Sequence, residues 1–191
     1  MKSCESIPST KIPENYIPDE NNGLVYGSLS IPKDKNLKSF SIYYKKKNGK
    51  EISSQRISFN GTQQPFSIYA EQNPDYEDEH HNIFLFAIEL EQGAYEFYKI
   101  TYAPPLWGGG NLTIYTSPEF SLNFDINGGK INYVGNYTFY KDGNKDGKFL
   151  SVLSQKDTDD EFFSKKREAI SWKNSIDMTP KNSSDIGIEV K

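Results

Sequence analysis

From Gly23 to Gln155 apolar side chains recur with a period of two, in short runs cut by Pro, Gly and Asn-Gly signals. That punctuation restricts this stretch to strands. The cleanest run is Phe120 to Ile126, where Phe120, Leu122, Phe124 and Ile126 share one face and Ser121, Asn123 and Asp125 the other. Leu24 to Ile31 is a strand stopped by Pro32. Phe40, Ile42 and Tyr44 alternate with Ser39, Ser41 and Tyr43; Asn48-Gly49 then supplies a hairpin turn, and Ile57 and Phe59 mark the return strand. Pro65 precedes a short strand through Phe66 and Ile68. Asn82 to Glu91 starts apolar on both faces, as a central strand covered on two sides would. Gln92-Gly93 turns it into Ala94 to Tyr102 as another hairpin. Leu112 to Tyr115 follows; Gly128-Gly129 leads into Lys130 to Tyr140, and Asp142 to Gly147 into Phe149 to Gln155. Strands at this spacing predict an all-β fold, a β-sandwich over residues 23–156.

One helix is expected after the sandwich, in the 157–191 segment. Thr158 and Glu161 have the spacing of a capping box, and Asp159 and Asp160 suit the positive end of the helix dipole. Lys165, Lys166 and Arg167 lie towards the negative end. Phe162, Phe163, Ala169 and Ile170 form a thin apolar stripe for packing the helix on the sandwich, and Ile186 to Val190 reads as an edge strand.

A compact unit near 150 residues buries about 70% of its unfolded surface, so the core needs no disulfide or metal. With a single cysteine, no intramolecular disulfide forms. The net charge of -4, with acids and bases interspersed, argues against a nucleic-acid partner, which needs a concentrated basic face. Lys45, Lys46, Lys47 and Lys50 bracket Asn48-Gly49 and read as a solvated hairpin tip that also protects a strand edge, rather than a phosphate or lipid-headgroup contact. No apolar run approaches the roughly 20 residues that span a bilayer; Ile83 to Leu90 is strand-sized.

Residues 1–22 read as a flexible tether. Pro8, Pro13 and Pro18 are spaced five apart among polar residues, which favours an extended chain without secondary structure, and order is expected to begin at Gly23. The only cysteine, Cys4, precedes this stretch. The layout resembles a mature bacterial lipoprotein, in which an N-terminal cysteine carries acyl chains and a stalk holds a domain off the membrane. Met1-Lys2-Ser3 has no apolar region of a signal peptide, so an anchor requires Met1 and Lys2 to be extraneous residues left where a leader was removed. One acyl chain binds membranes only marginally, so stable anchoring at Cys4 needs more than one.

Two segments strengthen the resemblance. Leu90 to Tyr98 (LEQGAYEFY) looks like the strand–Gly–x–Tyr element of prealbumin-like and immunoglobulin-like sandwiches. Phe120 to Asn136 (FSLNFDINGGKINYVGN) is similar to a pattern in small bacterial envelope lipoproteins of unknown function. The resemblance implies a sandwich of that kind and a location in the bacterial cell envelope, periplasmic or anchored at the outer membrane. It supplies no catalytic residues.

Three groups could carry chemistry. His80 and His81 follow Asp75, Glu77, Asp78 and Glu79, and imidazole with carboxylate suits Zn²⁺. Adjacent side chains on an extended segment point apart, however, so a solvated acidic loop is the simpler reading. Asp142, Asn144 and Asp146 with Gly147 match the first half of a Ca²⁺ loop, but Leu153 stands where the bidentate Glu belongs, and a hairpin needs the same residues for its turn. Leu106 and Trp107 sit in a long Pro-Pro…Gly-Gly-Gly loop, where they either contact a partner or fold back to cap the sandwich. No nucleophile-elbow or phosphate-loop motif occurs. The expectation is a non-enzymatic envelope lipoprotein without a cofactor, attached to the membrane through Cys4 and binding a protein or glycan partner. The alternative is a metal-binding protein or metal-assisted hydrolase using His80 and His81, with Zn²⁺ or Ca²⁺ bound.

Overall fold

A computed structural model describes residues 12–13, 15–33, 37, 39–47, 55–60, 73–104 and 113–191. These form a β-sandwich with one α-helix, as the alternation predicts. Among the described residues twelve strands follow in order: β1 (Asn22–Pro32), β2 (Ser39–Lys46), β3 (Gln55–Asn60), β4 (Tyr76–Glu77), β5 (His81–Glu91), β6 (Gly93–Ala103), β7 (Tyr115–Thr116), β8 (Leu122–Ile126), β9 (Ile131–Phe139), β10 (Leu150–Leu153), β11 (Ile176–Asp177) and β12 (Ile188–Val190). The helix α1 spans Lys156–Lys166, and a single 3-10 turn covers Trp172–Asn174. The strand expected through Phe66 and Ile68 lies outside the described residues.

The seven-stranded sheet has the order β12-β10-β9-β1-β5-β4, with β11 also paired to β9. The five-stranded sheet has the order β3-β2-β6-β7, with β8 also on β6. Inward-facing residues of both sheets interdigitate in the main core, including Leu29, Phe40, Phe59, Phe86, Phe97 and Tyr137. β8 alternates as expected, Leu122, Phe124 and Ile126 buried and Asn123 and Asp125 exposed. β12 is the expected C-terminal edge strand, parallel to β10.

The turn at Gln92-Gly93 does not make the expected hairpin. β5 pairs with β1 and β4 in one sheet, whereas β6 pairs with β2, β7 and β8 in the other. Gly93 (φ 141°) bends the chain around the corner of the sandwich. Gly128-Gly129 acts likewise, carrying β8 of one sheet into β9 of the other. A glycine turn signals a change of direction, and alternation on either side is the same whether the next strand joins its neighbour or faces it.

β5 is covered on both faces, as its composition predicts, but the central strand is β1, antiparallel to β5 and parallel to β9. One face of this sheet meets the main core. The other is sealed by a second, smaller core in which Phe163 of α1, Trp172 and Ile170 pack on Leu24, Tyr26, Leu85 and Tyr133. Ile12 joins that cluster at 9% exposure and Tyr16 packs against it, so order extends ahead of Gly23. Asp19 accepts the backbone N–H of Asn21 and of Asn22 at 2.8 and 2.9 Å, which positions the start of β1.

The parallel pairing of β1 with β9 shifts register between Tyr26 and Ser28. Gly27 and Gly135 meet there: a Cβ on Gly27 would stand 2.5 Å from the Gly135 carbonyl oxygen. Gly135 adopts φ 107°, and β9 changes parity across it. Tyr133 faces the helix layer and Val134 the main core; beyond the bulge Tyr137 and Phe139 face the main core. Gly135→Ala adds a Cβ 3.0 Å from Thr179 Cγ2 in a conformation L-residues avoid. It should lower stability by about 1–3 kcal/mol, seen as a lower urea midpoint at unchanged m-value.

Candidate functional site

The two candidate loops within the described residues, at 78–81 and 140–149, lie at one end of the sandwich. β1 ends at Pro32 opposite His81, where β5 begins, and parallel β9 ends at Phe139 on the same side. Phe139 contacts Phe40 at the start of β2 and Tyr102 near the end of β6, both with ring centroids 5.0 Å apart. The 78–81 loop and the 140–149 loop therefore leave from one end, and β6, which leads towards Leu106 and Trp107, finishes there too. Leu106 and Trp107 themselves lie outside the described residues, as does Cys4.

Asp78 organises the acidic-histidine loop. Its carboxylate accepts the backbone N–H of His80 at 2.7 Å and of His81 at 2.6 Å, and meets His81 Nδ1 at 3.0 Å. Burial pushes this carboxyl up, but those hydrogen bonds and the nearby imidazole outweigh it and hold it below the usual range. His80 is exposed, its Nε2 3.9 Å from Glu79. The two imidazoles are nearly perpendicular, with centroids 6.3 Å apart. Among the described residues no group of three or more His, Cys, Asp or Glu is placed to hold a metal ion. Among the described residues of this loop, the close imidazole–carboxylate pair is His81 with Asp78.

The Asp142–Gly147 loop closes on itself. Asn144 Oδ1 accepts the backbone N–H of Asp146 at 2.9 Å and of Lys148 at 3.0 Å. Asn144 Nδ2 donates to Glu189 at 3.3 Å, and Lys141 pairs with Asp142 at 2.6 Å. Gly143 (φ 81°) and Gly147 (φ 73°) supply the reversals of a β9–β10 hairpin. Asp146 is exposed.

The sequence reading missed a buried carboxylate layer beneath α1. The capping box does not form: the N-cap is Gln155, with no side-chain cap, and Thr158 is already inside the helix. Starting the helix earlier turns Asp159 and Asp160 towards the sheet, both buried. Asp159 is 0% exposed and accepts hydroxyls from Ser28 (2.7 Å), Tyr76 (2.6 Å) and Tyr133 (2.8 Å). Asp160 accepts the Tyr26 hydroxyl and pairs with Lys156 at 2.7 Å. Ala169, assigned to the apolar stripe, is exposed, and Ile170 buries itself beyond the helix end. The available signal was the polarity of β1: Tyr26, Ser28 and Ser30 all face one side of a central strand and need partners.

Burial raises the Asp159 carboxyl to about 6, against the pull of its three hydroxyl donors and with the push of Asp160. Burial, and then Asp160 for Tyr26 and Asp159 for Tyr76 and Tyr133, hold these three phenols well above the ordinary range. The layer ties α1 to β1, β4 and β9 through these hydroxyl–carboxylate contacts.

No family model matches the chain, and no characterised protein matches its sequence. Among solved structures, a leucine-rich repeat protein from Bacteroides thetaiotaomicron is similar at 14% identity over 61% of this chain, with a TM-score of 0.36. The match spans 13% of that protein's length.

The raised Asp159 carboxyl sets a pH dependence. Between about pH 4 and pH 6 the folded protein holds a proton that the unfolded chain has released, so stability falls as pH rises through this window. The loss from this group is on the order of 2–3 kcal/mol. Urea titrations across that range should show the slope in the wild type and its disappearance in Asp159→Asn.

Proposed function

We propose that the protein is a non-enzymatic binding module of the bacterial cell envelope, attached to a membrane through Cys4 and recognising a protein or glycan partner. The observation that carries the partner-binding reading is the convergence of loops at one end of a rigid sandwich. Loops anchored on a packed scaffold can present polar and aromatic side chains at little entropic cost, and the ends of sandwiches are common recognition surfaces. Here that end offers His80, His81, Lys141 and Asp142, and β6, after which Leu106 and Trp107 come in the sequence, finishes there. The self-closed turns at Asp78 and Asn144 support recognition over metal chemistry, because their oxygens already hold backbone amides. The envelope assignment rests on Cys4 ahead of a Pro-rich segment and on the resemblance of Phe120 to Asn136 to envelope lipoproteins.

Two experiments test this reading. In the native full-length gene, Cys4→Ser should move the protein from the membrane to the soluble fraction; continued membrane retention rules out the anchor. Trp107→Ala should leave thermal stability within about 0.5 kcal/mol while weakening partner binding. A loss of about 3–5 kcal/mol would instead mark Trp107 as core and remove it from the recognition surface.

A further inference from the structure

The outer face of the five-stranded sheet, away from the loop end, carries cations held over aromatic rings. Pairing sets Tyr43 of β2 opposite Arg56 of β3 on one side and Lys99 of β6 on the other. Three strands therefore present cation, phenol, cation in one row, with about 4.8 Å between neighbouring strands. Arg56 donates to the Tyr43 hydroxyl oxygen at 3.0 Å, and Thr101 donates to it at 3.4 Å. Lys99 Nζ stands 4.3 Å from the centre of the Tyr43 ring, and Lys45 Nζ 4.8 Å from that of Tyr98. Tyr43 is only 7% exposed, so the ring is a fixed platform for these groups.

The local field favours negative charge. Burial pushes the Tyr43 phenol up, yet the hydrogen bonds from Thr101 and Arg56 and the charges of Arg56 and Lys99 outweigh it and hold the group below the usual phenol range. Lys45 is neutralised in part by Glu96 at 3.2 Å, which Ser121 also engages at 2.6 Å. Among the described residues no carboxylate lies within ion-pair distance of Lys99. Among the described residues of a chain of net charge -4, the outward positions of these strands include Lys45, Arg56 and Lys99 beside Glu96 and Asp125. A lysine laid over a ring has already lost much of its rotamer freedom, so less ordering remains to be done when an anion arrives.

We infer that this face binds an acidic glycan, with a sugar carboxylate seated on Lys99 beside Arg56. The inference rests on the partner-binding reading and names both the partner's class and a second surface for it. Ammonium groups cover the ring faces, so recognition is by charge and hydroxyl rather than by stacking a neutral sugar. Ser58, held by the buried Ser41 hydroxyl at 2.7 Å, and Thr101 are half-buried beside the row and can meet sugar hydroxyls. Among the described residues the row presents no aliphatic side chain of the sort that anchors a peptide.

Affinity electrophoresis of the intact protein through gels containing polygalacturonate, its methyl ester or poly-glutamate tests the inference. Polygalacturonate should retard the wild type in a salt-sensitive way, the uncharged ester should bind at least about tenfold more weakly, and Lys99→Ala should weaken polygalacturonate binding about fivefold or more at unchanged thermal stability. Lys99→Arg should restore retardation. Equal retardation by the ester overturns anion recognition but leaves a glycan-binding module standing. Poly-glutamate as effective as polygalacturonate overturns the glycan in favour of an acidic peptide. Retention that ignores Lys99 overturns the site, and no retardation in any gel overturns the inference, while the partner-binding reading is then judged by Trp107→Ala.

Discussion

The fold depends on a central strand that is polar where it is most buried. β1 is paired along both edges and covered on both faces, yet one of those faces carries Tyr26, Ser28 and Ser30. A buried hydroxyl without a partner costs on the order of 1–3 kcal/mol, so whatever covers this face must bring acceptors with it. α1 does so with Asp159 and Asp160, and β9 contributes Asn136, whose amide donates to Ser28 and Ser30 at 2.7 and 2.6 Å. Helix, β1 and β9 are thereby locked in one arrangement. Shifting α1 by a single residue would strand a carboxylate and several hydroxyls together, which makes the layer a device for specificity as much as for stability.

That lock makes the two sheets unequal. The seven-stranded sheet is sealed on its outer side by the helix, the 3-10 turn, Ile12 and Tyr16. The five-stranded sheet lacks such a helix layer among the described residues, and its outer face bears Tyr43, Lys45, Arg56 and Lys99. Side chains of alternating strands point outwards there by geometry alone. Charged and polar side chains consequently face outwards on that sheet, while the outer side of the seven-stranded sheet is occupied by packing against the helix. The bulge at Gly135 is part of the same arrangement, since it returns Tyr137 and Phe139 to the main core after Tyr133 has been spent on the helix layer.

Much of the strand content was legible because alternation is a local signal. The exposed and buried positions of Phe120 to Ile126 follow from their order in the chain, and so do the Pro32 stop and the β9–β10 turn at Asp142–Gly147. The errors have a common cause. At Gln92-Gly93 the turn residues announce a reversal, but whether the next strand pairs or crosses to the opposite sheet depends on which distant strand occupies the edge. At Thr158–Glu161 the capping pattern was satisfied locally, and the demand of Tyr26, Tyr76 and Tyr133 for an acceptor overrode it. For the candidate sites, the residues at Asp78 to His81 and at Asp142 to Asp146 stood out by type; that both loops flank the same end of the sandwich did not, because over 60 positions separate them in the chain.

The sequence by itself determined that this chain builds short amphipathic strands, one C-terminal helix and a core without disulfides, since each of these follows from local period and composition. Only the tertiary structure decided that β1 is the centre, that the glycine turns at Gly93 and Gly128 change sheets, and that Asp159 is a buried acceptor rather than a helix-end charge. It also decided that Arg56, Tyr43 and Lys99, separated by 13 and 56 residues, form one row. Strand partnership and burial are set by the pairing of distant segments, and no local pattern encodes which segments those will be.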